Sequence, residues 1–301
     1  QDLIIPAKSF YRGMGIIMIK KIKLRALTYL RNIYARIICP QVCFFCGEET
    51  GTGIPLCSKC LQKEITEPVL FRLQNPEKFC SSCGKILISE KEFCTDCRAK
   101  LKEKENLKTE ERGKTEKEDC AKPLSVQSDF LKKVYTIYPY KGRGGELLRL
   151  WKNQNMRGFA EIYASAIASF IEGMPELQNV PMVPVPPRPK KIKTKGWDQI
   201  EDLSLYLEHI YNLPILRCLK RMDGASQKSL SKEKRASNLK GKIFLKRQKS
   251  FSKSEDLKTD LPEKLIILDD VMTTGATLNF CAAALKEGGC KEVIGLCLFF
   301  D

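Results

Sequence analysis

Between residues 265 and 277 the chain reads Leu265-Ile266-Ile267-Leu268-Asp269-Asp270-Val271-Met272-Thr273-Thr274-Gly275-Ala276-Thr277: four apolar residues, two adjacent acids, then a hydroxyl-rich turn. No other stretch restricts the fold as tightly. A continuous apolar run of this length suits a strand covered on both faces, the situation of a parallel sheet inside an α/β domain. Open sheets of that kind hold ligands at the carboxyl ends of their strands, where Asp269 and Asp270 fall. Neighbouring carboxylates accept hydrogen bonds from a vicinal diol. The turn after them offers backbone amides, the hydroxyls of Thr273, Thr274 and Thr277, and the start of a helix to a phosphate monoester. A plain buried strand followed by a helix capped by Thr277 is the simpler reading. It leaves the conjunction of acid pair, Gly275 and threonines without a reason. A P-loop is excluded, because no Gly-Lys-Ser/Thr follows a glycine loop here or at Gly142-Arg143-Gly144-Gly145.

The surroundings agree with that strand. Apolar periodicity alternates between strand and helix over Val134–Tyr138, Glu146–Trp151, Ala160–Ile171, Pro181–Val185, Gln199–Tyr211, Leu265–Leu268, Leu278–Glu287 and Val293–Phe300. Such alternation predicts a mainly parallel sheet flanked by helices. A polar stretch from Arg247 to Lys264 reads as a long surface loop within this domain.

Upstream, Cys43, Cys46, Cys57 and Cys60 recur thirty-seven residues later as Cys80, Cys83, Cys94 and Cys97 with every spacing preserved. Four thiolates in two Cys-x-x-Cys pairs make a closed tetrahedral set suited to structural zinc, so two ions are expected. Gly47 and Gly84 follow the second cysteine of each block, where a tight turn lets backbone amides face the sulfurs. Redox-active dithiols or an iron–sulfur centre are the alternatives, and pairing within each block is preferred to an interleaved one. Cys39, Cys120, Cys218, Cys281, Cys290 and Cys297 fall outside the repeat and read as small buried or incidental residues.

With 301 residues, two units with separate stabilising devices are expected. Residues 1–40 form a leader and a basic amphipathic helix, 41–97 a double zinc-ribbon module, 98–127 a charged linker or exposed helix, and 128–301 the α/β domain. In the leader helix Ile22, Leu27, Leu30, Ile33, Tyr34, Ile37 and Ile38 alternate with Lys and Arg, and packing on the neighbouring domain is expected in preference to a membrane or nucleic-acid role. The opening Gln1 suggests a start elsewhere, at Met14 or Met18. Fourteen cysteines in this pattern point to a reducing, cytoplasmic setting, and no apolar run reaches the length of a membrane span. A formal net charge of +16 suits phosphate-rich partners. It excludes nothing about the fold.

At Leu265–Thr277 the chain resembles the type I phosphoribosyltransferases, whose binding motif matches at all thirteen positions. Within them it resembles the ComF family, named for bacterial competence for DNA uptake. The resemblance includes the paired cysteine ribbons, Tyr140-Lys141-Gly142 with the Leu-Leu-Arg-Leu-Trp-Lys that follows, and Val183-Pro184-Val185-Pro186. It continues through Lys195-Gly196-Trp197-Asp198-Gln199 and Gln227, Leu230, Arg235, Asn238 and Gly241. It implies a type I phosphoribosyltransferase fold with an amino-terminal zinc-ribbon domain. The implied ligand is phosphoribosyl pyrophosphate with magnesium. Asp269 and Asp270 would hold the ribose hydroxyls, and Thr273, Thr274, Gly275, Ala276 and Thr277 the 5-phosphate. Arg188, Lys190 and Lys191, in the turn after Val185, would meet pyrophosphate. Arg221–Gly241 resembles a mobile hood carrying cations such as Lys228 and Arg235. The family often has histidine where Arg188 stands, and Lys195-Gly196-Trp197-Asp198-Gln199 replaces the commoner Arg-Gly-Phe-Asn-Gln.

Two uses of such a site follow. One is transfer of phosphoribose to or from an acceptor, in which positive charge grows on ribose and negative charge on the leaving pyrophosphate. The other is a non-catalytic adaptor that senses a nucleotide and engages single-stranded DNA or DNA-uptake machinery. From Arg188 to Arg247 sixteen Lys/Arg face six Asp/Glu, which serves either. Aromatics are sparse there, so base stacking is not evident. No general base can be named: His209, the single histidine, reads as a packing or surface residue of a helix. The acceptor and the oligomeric state have no signature.

Overall fold

A computed structural model describes residues 22–27, 29–30, 33–34, 42–50, 54–111, 130–222, 243–246 and 261–301. Four parallel strands form the central sheet: β1 (Lys133–Pro139), β2 (Met182–Pro184), β5 (Lys264–Met272) and β6 (Glu292–Phe300), in the order β1-β6-β5-β2. Alternate residues of β5 serve opposite faces, as the strand period requires. Ile266 and Leu268 pack with helices α3 (Arg143–Lys152), α4 (Phe159–Glu172) and α6 (Gln199–His209), whereas Leu265 and Ile267 pack with α7 (Ala276–Glu287). Both faces are therefore covered, which is why the run Leu265–Leu268 carries no polar residue. The α/β class and its helix-flanked parallel sheet are as expected.

The strand continues four residues beyond the apolar run. β6 accompanies it to the Met272↔Phe300 pair, but β2 ends at Pro184↔Leu268. From Asp269 onward one edge of β5 is thus open, and the acids stand in the notch left by the short neighbour. Two elements had no clear sequence signal. One is α5 (Pro189–Lys195), which closes on Gly196 at φ 75°. The other is an antiparallel hairpin of β3 (Leu219–Arg221) and β4 (Ile243–Leu245). Leu219 and Ile243 anchor this hairpin among Leu278, Cys281 and Ala282 of α7.

The cysteine repeat is a structural repeat. A bridge joins Val42 to Glu49 and its counterpart joins Phe79 to Ile86, and both ribbons turn on a left-handed glycine, Gly47 and Gly84. The continuations differ. After the first ribbon the chain passes through Ser58–Leu61, a π-helical turn Gln62–Thr66 and α1 (Glu67–Gln74). After the second it enters the long α2 (Thr95–Glu111), which begins on the ribbon itself.

The leader helix departs from expectation. Residues 22–27, 29–30 and 33–34 are helical, but Ile22, Leu27, Leu30 and Tyr34 of the apolar stripe are each more than half exposed, while Ile37 and Ile38 lie outside the described residues. Among the described residues no helix is long and apolar enough to cross a membrane.

Candidate functional site

Strand alternation starts Asp269 on the α7 side and Asp270 on the α3–α6 side. Asp270 is 6% exposed and its Oδ2 accepts hydrogen bonds from Lys152 Nζ at 2.8 Å and Gln199 Nε2 at 2.6 Å. Burial opposes ionisation of this carboxyl, but the Lys152 ammonium and the two donors outweigh it and hold Asp270 below the usual range. Asp269 Oδ1 accepts from the Asp270 N–H at 2.8 Å, and burial together with the charge of Asp270 pushes its pKa well above the usual range. The two adjacent carboxyls are thus pushed in opposite directions, Asp269 up and Asp270 down. Lys152 keeps its ammonium form, because Asp270 offsets the cost of its burial.

Lys152 ends α3, whose Leu147, Leu148, Leu150 and Trp151 are buried against the sheet and so fix where the last turn emerges. Its carbonyl oxygen accepts from Lys195 Nζ. On the other side, Gln199 Oε1 accepts from Lys191 Nζ, which also donates to Asp198 Oδ2 at 2.8 Å. Asp198 in turn caps α6 by accepting from the backbone N–H of Ile200 and Glu201 at 3.0 and 3.2 Å. One polar chain thus runs from α5 through Lys191 and Gln199 to Asp270 and Lys152. Trp197 braces it: Lys195 Nζ stands 4.0 Å above the indole, and Nε1 donates to Asn155 Oδ1 at 3.3 Å.

The turn after β5 has the form expected of an anion loop. Thr273 and Thr274 are exposed, and Gly275 adopts φ 75°, a conformation that a Cβ would strain. Gly275, not Thr277, occupies the cap position, and α7 opens at Ala276. At this helix start the Ala276 amide donates to Thr274 Oγ1 at 3.4 Å.

The other candidates scatter. Arg188 caps α5 and is exposed, as is Lys190, while Lys191 is half-buried in the polar chain. Arg221, at the end of β3, lies on the same strand face as buried Leu219, and burial, then the nearby Arg188, lowers its pKa. Neither guanidinium has an ion-pair partner among the described residues. Lys228 and Arg235, like Gln227, Leu230, Asn238, Gly241, Cys39, Cys120 and residues 247–260, lie outside the described residues. His209 is 2% exposed and far from solvent. Lys152 and Arg221 were missed as site residues. Lys152 had one available signal, a charge placed directly after a buried Trp at the end of an amphipathic helix.

The eight cysteines separate into the two blocks without interleaving. In each block all four sulfurs lie within 4.8 Å of one another, against roughly 3.8 Å between the corners of a zinc–thiolate tetrahedron. Cys46 to Cys57 is 3.5 Å and Cys83 to Cys94 is 3.7 Å. The Cys94 amide donates to Cys80 Sγ at 3.4 Å. Both donor sets fit structural zinc, with no position left open for chemistry. Cys281, Cys290 and Cys297 are buried and Cys218 is half-buried, as small core residues.

No family model matches the chain. Two curated proteins do. Competence protein ComFC of Bacillus subtilis (strain 168) is 22% identical over 267 residues, covering 81% of this chain and 94% of that protein. Competence protein ComFC of Streptococcus pneumoniae (strain ATCC BAA-255 / R6) is 25% identical over 241 residues, covering 79% and 95%. Over most of its length, a helix-flanked parallel sheet preceded by two four-cysteine sets, the chain is thus similar to these two competence proteins.

Proposed function

We propose that the protein binds phosphoribosyl pyrophosphate with magnesium in the notch beside β5 and acts as a phosphoribosyltransferase connected with DNA uptake. The observation that carries this reading is the pair of adjacent carboxyls, Asp269 and Asp270, at the edge of β5 left open beyond β2 and directly before the Gly275 turn. Asp269 and Asp270 would accept hydrogen bonds from the two ribose hydroxyls, so the vicinal diol is met by adjacent acceptors. The turn Thr273–Thr277 takes the 5-phosphate. Arg188 and Arg221, two guanidiniums without ion-pair partners among the described residues, stand where the pyrophosphate would develop charge. Lys190 and Lys191 precede it on α5, and Lys228 and Arg235 would join from the hood.

Asp270 is already satisfied by Lys152 and Gln199, so the carboxylates fit an outer role towards magnesium. The ion would be held chiefly by pyrophosphate oxygens and would stabilise the leaving group. Lys152 holds Asp270 charged throughout, and the polar chain through Gln199 and Lys191 orients it from the pyrophosphate side. In this scheme residues 128–301 carry the site and 41–97 the two zinc ions, in a cytoplasmic protein.

The adaptor reading uses the same pocket to sense the ligand while the basic surface meets single-stranded DNA. It is favoured by the lack of any histidine at the site among the described residues. Calorimetry with phosphoribosyl pyrophosphate, with and without magnesium, tests the shared pocket. Pyrophosphate release over a panel of nitrogen acceptors then separates the two uses: release supports the transferase, and binding without release supports the adaptor. No binding with magnesium present would remove both.

A further inference from the structure

The second ribbon does not hang away from the sheet. Its Ser82 carbonyl accepts from the Val134 N–H at 2.9 Å, and Thr136 Oγ1 donates to the Gly84 carbonyl at 2.7 Å. A Cβ on Gly84 would stand 2.6 Å from the Val134 oxygen, so the two backbones are in direct contact. Its four cysteines pack with Met272 and Phe300, the last residues of β5 and β6. Between ribbon and sheet lies a cleft of about 110 Å³ with Ser82, Asp96 and Lys100 on one side and Thr273, Thr274 and Asn279 on the other. Asn279 also lines the cleft, and its Oδ1 is buried without a hydrogen-bond partner. The loop assigned above to a 5-phosphate thus has a wall that belongs to the cysteine module.

We propose that the second ribbon completes the phosphate subsite, with Lys100 of α2 supplying the cation for the phosphate monoester and Asn279 a further donor. The inference rests on the sugar-phosphate reading of the loop. It gives the two ribbons unequal tasks, since among the described residues the cleft is lined by the second ribbon and not by the first. Zinc in the second ribbon and phosphate at the loop then stabilise each other, because linkage between two sites is reciprocal.

The test uses the full chain loaded with two zinc ions, with ribose 5-phosphate and inorganic pyrophosphate as probes in calorimetry, and a chelator drawing off zinc. Lys100 is exposed, so Lys100→Gln and Lys100→Glu should retain both ions. Lys100→Glu should weaken ribose 5-phosphate about tenfold or more, Lys100→Gln by less, and neither should change pyrophosphate binding. Saturating ribose 5-phosphate should slow the loss of one zinc of the two. Unchanged ribose 5-phosphate affinity in both variants, or two zinc ions lost at ligand-independent rates, overturns the proposal while leaving the pocket intact. A natural protein that binds neither ribose 5-phosphate nor phosphoribosyl pyrophosphate overturns the pocket itself, and this inference with it.

Discussion

The two ribbons share every cysteine spacing and the same glycine turn, yet they are embedded differently. In the first, Cys46 is exposed and Cys60 partly so, while Leu56, Cys57, Ile65 and Val69 run into the main core with Tyr138 and Phe170. In the second, all four cysteines are buried, and they meet the ends of β5 and β6 beside the loop at Thr273. Equal metal chemistry therefore serves two mechanical purposes. The first ribbon is keyed into the sheet domain through the helix that follows it, with Tyr138 Oη donating to the Ile65 carbonyl at 3.2 Å. The second braces the mouth of the candidate site. The first ribbon shares the main core, whereas the second forms a small cluster of its own with Leu87.

The largest expected contrast comes from removing one metal at a time. Cys80→Ser/Cys83→Ser should lower zinc content from two to one per chain and destabilise by at least about 4 kcal/mol, because it leaves a buried donor set without its ion. Cys43→Ser/Cys46→Ser should also lose one zinc but leave ribose 5-phosphate binding within about threefold of the natural protein. Zinc assay, urea unfolding and calorimetry on both would break the comparison if the first ribbon proved to matter more for the ligand.

A second contrast concerns the site that only the second ribbon adjoins. In the natural protein Asp270 has a depressed pKa, so its contribution is present above the unfolded value near 4 and is lost as pH falls through the folded value. Lys152→Met would leave that carboxyl buried without its cation and raise its pKa. Stability should fall by about 3 kcal/mol at pH 7, and the gap to the natural protein should narrow on acidification as the stranded carboxyl takes up its proton. Denaturant midpoints between pH 4 and 8 measure this.

The matched turns give a finer comparison. Gly84→Ala meets both a positive φ and the Val134 oxygen at 2.6 Å, and should cost about 3 kcal/mol. Gly47→Ala has the same φ with nothing within 4 Å of the new Cβ, and should cost about 1 kcal/mol. Thermal unfolding of the two variants side by side would sharpen the assignment, and equal costs would contradict it. Smallest of all, Glu48→Gln removes an exposed pair with Lys59, 3.7 Å apart, and should leave the midpoint unchanged.

What could be read in advance followed local chemistry. Leu265–Leu268 announced a doubly covered strand because every residue in it is apolar, and the thirty-seven-residue cysteine period announced two tetrahedral sets because ligand spacing is local. Lys152 was not legible as a partner of Asp270, since 118 residues separate them and only the packing of Trp151 fixes where α3 ends. The inequality of the ribbons was hidden for the same reason: the sequences match where the metal sits and differ in which surface each meets. The leader helix misled because amphipathic spacing shows that a stripe exists without showing what covers it.

The two adjacent carboxyls at the end of β5, Asp269 and Asp270, hold phosphoribosyl pyrophosphate in this account. Titrating this ligand, with and without magnesium, into the natural protein and an Asp269→Asn/Asp270→Asn variant tests it most directly, with zinc content confirming that both are folded. Magnesium-dependent binding in the natural protein, weakened a hundredfold or so in the variant, is the expected result. Equal affinity in the two proteins, or none in either, would contradict it.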